Sequence, residues 1–254
     1  MKTVILAGGR GTRIGEETLL RPKVLIEIGG KPILWHLLQI YSNQGFNDFI
    51  ICLGYKGHMI KDYFVNFARN NSDLYVDLGK HVVHILNESK ENWKITLIDT
   101  GEDANTGLRL AHTESYIDQE DFFFTYGDGL SNVDLRNLKE QHVLSGKIAT
   151  LTAVAPPGRF GLVQIENGIV TKFDEKKNFS NERINGGFFV LNKRIFSYLT
   201  TKNPSFEFEI LPELAANRQL GGYLHNGFWQ AMDTMRDKDY LEELLQKGKH
   251  PWMT

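Results

Sequence analysis

Short apolar runs alternate with longer amphipathic stretches through the first half of the chain. Lys2–Leu6 reads as a buried strand that runs straight into glycines. Over 32–44, Ile33, Leu37 and Ile40 fall on one face at helical spacing. A second apolar strand at 48–53 is followed by an amphipathic helix over 56–68. Further strands are predicted at 95–98 and 121–126, with a helix over 106–116 between them. Strands separated by helices of this length predict a parallel sheet covered by helices on both faces.

The segment 66–93 breaks the pattern. It is polar, carries Asn70-Asn71-Ser72-Asp73, and shows only short patches such as Leu74-Tyr75-Val76 and Val82-Val83-His84-Ile85. It reads as an insertion of short strands and loops at the sheet edge, a lid or a subunit contact. After Gly146 strands dominate: 148–154, 161–166, 169–173 and 184–191 read as β, the middle pair joined by the turn Asn167-Gly168. Short helices are predicted at 193–199, 207–217 and 235–246. With no repeat, Pro-rich linker or low-complexity stretch, the expectation is one α/β domain over 1–254. Its sheet is Rossmann-like, mixed and mostly parallel, with a first half, 1–146, and a β-rich second half, 147–254.

Composition narrows the function more by exclusion than by signal. The 254 residues are 41% hydrophobic and 24% charged, with net charge −2 and no long basic run. Nothing in that balance calls for a nucleic-acid partner. No apolar stretch approaches the roughly 18 residues of a membrane span, and Val4-Ile5-Leu6-Ala7 is too short for a signal-peptide core. The single Cys52 has no internal disulfide partner, and its flanks Ile50, Ile51 and Leu53 suit a buried strand position. A cytoplasmic protein is expected.

Candidate chemistry begins at Gly8-Gly9-Arg10-Gly11-Thr12-Arg13, directly after the first strand. Glycines there allow positive φ and close approach of a ligand to the main chain. Their N–H groups can converge on phosphate oxygens, and Arg13 adds a forked, permanently charged donor. Lys23 follows the stiffening Pro22. Neither the P-loop lysine spacing nor the dinucleotide G-x-G-x-x-G pattern is present, which argues against an NAD-dependent oxidoreductase. Asp128, in Gly127-Asp128-Gly129 after the strand 121–126, lies where ligands of open parallel sheets bind. Asp233 either caps the helix starting near Met235 or joins Asp128 on a cation, Glu17 and Asp237 being weaker alternatives. The histidines show no metal-ligand spacing.

Leu6-Ala7-Gly8-Gly9-Arg10-Gly11-Thr12-Arg13 with Pro22-Lys23 resembles the signature of the sugar-1-phosphate nucleotidyltransferases. The likeness continues through Gly54-Tyr55-Lys56-Gly57, Tyr126-Gly127-Asp128-Gly129, Pro157-Gly158-Arg159-Phe160-Gly161, Ile184-Asn185-Gly186-Gly187 and Phe228-Trp229-Gln230. This larger set is similar to the branch that uses CTP and glucose 1-phosphate. The resemblance implies the nucleotide-diphospho-sugar transferase architecture, with a nucleotide-binding first half and a sugar-binding second half. It implies catalytic roles for Arg13, Lys23, Asp128 and Asp233, and Mg2+ held by the two aspartates. Leu6, Ala7, Gly8, Gly9, Arg10, Gly11, Thr12, Ala104 and Gly127 would contact the nucleotide, and Lys176, Asn185 and Gly186 the sugar phosphate. Arg109 is the polar candidate for the base, or a solvated helix residue; Lys176 is equally readable as half of a solvated pair with Lys177. A homo-oligomer is also implied.

The chain departs from the branch pattern at Arg21, Val24, Leu25, Leu108, Lys177, Ala231 and the segment 206–212. UTP, dTTP or another sugar 1-phosphate therefore stay open as substrates. A reading of another class, a non-catalytic nucleotide-sugar-binding regulator, is disfavoured by the presence of Arg13, Lys23, Asp128 and Asp233 together.

Overall fold

In the computed structural model, residues 1–254 are described except 16, 88–89, 157–161, 167–168, 175–181 and 254. Of the residues singled out above, Lys176, Lys177, the Pro157–Gly161 motif and the Asn167-Gly168 turn lie outside the described residues.

The apolar runs pair into one seven-stranded sheet. Its spatial order is Leu220–His225, Ala149–Val154, Ile184–Asn192, Asp121–Tyr126, Lys2–Leu6, Asp48–Leu53, Lys94–Asp99. Lys2–Leu6 sits parallel between its neighbours, with Leu6 level with both Cys52 and Tyr126. Ile184–Asn192 runs antiparallel to the strands on either side, so its beginning lies beside the ends of its parallel neighbours. The loops that follow Leu6 and Tyr126 and the residues that open Ile184–Asn192 thus share one sheet edge.

Side chains alternate between the sheet's two faces. Ile5, Phe49, Ile51, Phe123, Phe188 and Val190 pack into one core with Leu34, Leu37 and Tyr41 of the helix Ile33–Ser42. Val4, Ile50, Cys52, Phe122, Phe124 and Phe189 pack into the other with Leu110, Phe206 and Leu214. Burial on both faces explains why these strands read as unbroken apolar runs. It also pushes the Cys52 thiol up to about 12, consistent with an inert core residue.

Several elements differ from expectation. The helix at 106–116 stops at Ala111, where the Thr113 hydroxyl donates back to the Leu110 carbonyl (2.7 Å) and a short 3-10 turn, Glu114–Tyr116, follows. The helix at 207–217 is a π-turn, Phe206–Ile210, leading into Leu211–Ala216, with Pro212 in the helix's first turn. Leu135–Ser145 forms a helix that the weak apolar pattern did not announce. Leu220–His225 is a strand despite Gly221-Gly222, sheltered by pairing along Ala149–Val154. Within 66–93 the strands Leu74–Asp77 and Val82–Ile85 form an exposed hairpin separate from the main sheet.

His36 is buried beneath the C-terminal segment. Its Nε2 lies 2.9 Å from the Ile28 carbonyl and its Nδ1 3.3 Å from the Trp252 indole Nε1. Since the indole can only donate, Nδ1 accepts and the ring is neutral. Burial lowers the His36 pKa, the Ile28 contact opposing it, and burial likewise lowers that of His142. The unfolded chain therefore binds protons first, so stability is fully present above about pH 6.5 and is lost as pH falls through the folded values. Urea midpoints should fall on acidification through that range, and His36→Asn should make the fall shallower.

Candidate active site

A cavity of about 940 Å3 opens at the shared sheet edge. One wall is the glycine loop with Arg13 and Lys23; a second is the loop 102–106 with Arg109; the third comprises 126–129, 184–188, 205, 207–208 and Asp233.

The glycines serve different needs. Gly11 takes φ 62, the left-handed conformation that starts the short turn Thr12–Ile14. Gly8 is required for space, because a Cβ there would lie 2.1 Å from Arg109 Nη1. Gly9 faces open space. Thr12 is exposed and does not line the cavity, unlike Leu6 through Gly11. Arg10 reaches across the mouth to Asp103 (3.2 Å) and Glu102 (3.8 Å), exposed pairs of small energetic weight.

Asp128 and Asp233 are brought together by a small ribbon. Gly129–Ser131 pairs antiparallel with Trp229–Ala231, and the Met232 N–H donates to the Asp128 carbonyl at 2.9 Å. Helix capping falls to Thr234, whose side chain accepts the Asp237 N–H while Asp237 receives the Thr234 N–H in return. Asp237 also accepts the Asp233 N–H (3.1 Å), so this weaker ligand candidate is spent on holding the Asp233 backbone. Glu17 pairs with Arg21 (3.7 Å) instead.

The Asp233 carboxylate is thus left to face the glycine loop. Lys23 Nζ lies 2.5 Å from Asp128 Oδ2 and 2.8 Å from Asp233 Oδ1, and Arg13 Nη1 is 3.1 Å from Asp233 Oδ2. Burial alone would lower the Lys23 pKa, but Asp128 and then Asp233 outweigh it, and the net shift is upward. The result is a neutral constellation of two cations and two anions whose donors can be turned toward phosphate. Among the described residues no group of three or more His, Cys, Asp or Glu side chains gathers as a self-sufficient metal site.

The model of the family described as "Nucleotidyl transferase" matches residues 2–247. The chain belongs to that family. Its sequence is 48% identical to a glucose-1-phosphate cytidylyltransferase of Salmonella typhi over 255 residues, covering 100% of this chain and 99% of the relative. It is 43% identical to a probable glucose-1-phosphate cytidylyltransferase of Bacillus subtilis, covering 99% of each. The fold matches that of HddC from Yersinia pseudotuberculosis, with a TM-score of 0.71 at 24% identity over 96% of this chain and 99% of the other. That agreement bears on architecture: a mixed, mostly parallel sheet flanked by helices, the nucleotide-diphospho-sugar transferase fold. Among the described residues no helix is long and apolar enough to cross a membrane.

Arg109 departs from the solvated reading of its sequence. It is buried rather than solvated, and it lines the cavity. Its buried guanidinium donates from Nη1 to the Leu53 carbonyl (3.0 Å), Thr100 Oγ1 (2.7 Å) and the Gly101 carbonyl (2.8 Å). From Nη2 it donates to the carbonyls of Gly8 and Glu102, both at 3.1 Å. It therefore clamps the glycine loop, the end of the second strand and the loop 100–102 together. Asn185 and Gly186 stand at the far wall, where Trp229 Nε1 donates to the Gly186 carbonyl (2.7 Å) and the Asn185 amide reaches Tyr126 Oη (3.3 Å). Glu207 and Phe208 also line the cavity; the resemblance sets their segment, 206–212, near the sugar pocket without singling out either residue. Glu207 carries no local signal beyond its place in the segment that departs from the branch pattern.

Gly8→Ala should force the Arg109 clamp to give way, costing about 1–3 kcal/mol of stability. Gly9→Ala, with nothing near its added methyl, should leave the midpoint close to that of the parent. Thermal unfolding of the two variants side by side measures the difference.

Proposed function

We propose that this chain is a glucose-1-phosphate cytidylyltransferase, joining CTP to α-D-glucose 1-phosphate to give CDP-glucose and pyrophosphate. The observation that carries the chemistry is Lys23, held 2.5 and 2.8 Å from two aspartates beside a glycine loop, in a cavity of the size that binds small molecules. The identities of 48% and 43% to cytidylyltransferases over nearly the whole chain support the choice of substrates.

An oxygen of the sugar phosphate attacks the α-phosphorus of the triphosphate. The new P–O bond forms as the bond to the β-phosphate's bridging oxygen breaks, and that electron pair leaves with pyrophosphate. A phosphate monoester has a second pKa near 6, so the attacking oxygen is already ionised near neutral pH and no side chain need remove a proton. The task left to the protein is to bring anions together and hold them in line. The glycine-loop amides and Arg13 receive the β- and γ-phosphates and support the leaving pyrophosphate. Lys23 exchanges its aspartates for phosphate oxygens, bridging the α-phosphate and the incoming sugar phosphate. Arg109 keeps the nucleotide wall in shape rather than bonding the base itself.

The Asp128 and Asp233 carboxylates fit a divalent cation, which we take to be Mg2+. They already converge on one positive charge, and hard cations of this kind are held by one or two carboxylates plus substrate phosphates. Bound there, Mg2+ would neutralise charge developing on the phosphoryl oxygens. We place the reaction in the cytoplasm, in a homo-oligomer.

Pyrophosphate release measured with Mg2+ across CTP, UTP and dTTP, each with glucose 1-phosphate, should give the highest kcat/KM for CTP. Nucleotide binding without turnover would favour the regulatory reading instead. Lys23→Met and Asp128→Asn should each lower kcat by about 10^2 or more, as for other preorganised charge-stabilising groups.

A further inference from the structure

The cavity contains a carboxylate that the phosphate chemistry does not use. Glu207 lines it, and among the described residues no cation pairs with it; Lys23 and Arg13 are committed to Asp128 and Asp233. Its partners are hydroxyls. Oε2 accepts Thr106 Oγ1 at 2.5 Å and Ser205 Oγ at 3.3 Å, and the carboxylate lies near enough to the Tyr126 phenol to raise its pKa.

The surroundings fix this acid in place. Thr106 Oγ1 accepts the Phe206 N–H (2.9 Å) while donating to Glu207, tying the two chain segments. Phe206 is buried against Phe124 and Phe189, with ring centroids 4.8 and 5.4 Å away. The π-turn Phe206–Ile210 presents Glu207, and such turns occur often at functional positions. On the other side, Asn185 Oδ1 accepts the Gly187 N–H (2.9 Å), which orients its Nδ2 toward Tyr126. The Asn185 amide donates to Tyr126 Oη, which stands beside the Glu207 carboxylate. Burial, and next the Glu207 carboxylate, push the Tyr126 pKa upward, so the phenol stays a donor.

An unpaired carboxylate repels phosphate. It suits a neutral polyol, whose hydroxyls resemble the ones it already holds. It shares the cavity lining with Tyr126, Asn185 and the start of Ile184–Asn192. We propose that Glu207 reads the hexose hydroxyls of the sugar phosphate, with Tyr126 and Asn185 held in register by it. This rests on the transferase reading above and adds a specificity residue to it.

The test compares binding of CDP-glucose and CDP, by calorimetry, to the full-length chain and to Glu207→Gln. The amide keeps the size of the side chain but loses the charge and half of the acceptor capacity. Glu207→Gln should weaken CDP-glucose by about 10-fold or more, the effect of losing a charge-assisted bond, while CDP changes less than about twofold. In turnover, KM for glucose 1-phosphate should rise with KM for CTP nearly unchanged. Equal affinities for CDP-glucose in the two proteins would overturn the assignment. So would a parallel loss for CDP, which would put Glu207 on the ribose, or failure of the parent protein to bind CDP-glucose more tightly than CDP. Binding needs no catalysis, so a parent protein that shows this preference without releasing pyrophosphate counts against the transferase reading alone.

Discussion

The bridge of one ammonium between two aspartates is the constraint around which the site is organised. Lys23, Asp128 and Asp233 are 105 and 210 residues apart in pairs, yet they meet with less than a third of any of their side chains exposed. Removing one member of a largely buried ion group strands the charge of the others, which is costly. Replacing the whole group by apolar residues could be tolerated by the fold but would erase the chemistry. The cluster is therefore better understood as stored orientation than as a source of stability. Charges that must meet phosphate are held close to their working positions and prevented from collapsing elsewhere.

The same economy appears in the loops. Arg109 carries a full charge yet spends its donors on carbonyls from three segments. Asp237 could have been a ligand and serves to hold Asp233. Capping by Thr234 rather than Asp233 is the small local choice that lets the second carboxylate meet Lys23 and Arg13. In each case a residue beside the glycine loop is held in place by the hydrogen bonds of a neighbour.

What was legible in the sequence follows from range. The central strands are buried on both faces, so continuous apolar runs announce them, and Gly8 through Arg13 and Asp128 are recognisable because each immediately follows such a run. Elements with diluted patterns were harder: the Leu135–Ser145 helix buries only Leu135, Leu138 and His142, and Leu220–His225 contains two glycines. The partnership of Glu207 with Thr106 spans 101 residues and leaves no local trace. The burial of Arg109 was hidden for a related reason. Its five acceptors are almost all backbone carbonyls, and a carbonyl has no letter in the sequence.

One further consequence follows from the reversed strand Ile184–Asn192. Because its direction opposes its neighbours, its opening residues, rather than its closing ones, meet the loops after Leu6 and Tyr126. The cavity lining is thereby written in widely separated stretches of the chain, joined by hydrogen bonding between strands and by shared cores. Under the proposed reaction, an alteration in one stretch would change the hexose accepted while the other continues to hold the same nucleoside. A protein built this way can diversify its products by varying either partner independently, on an unaltered frame.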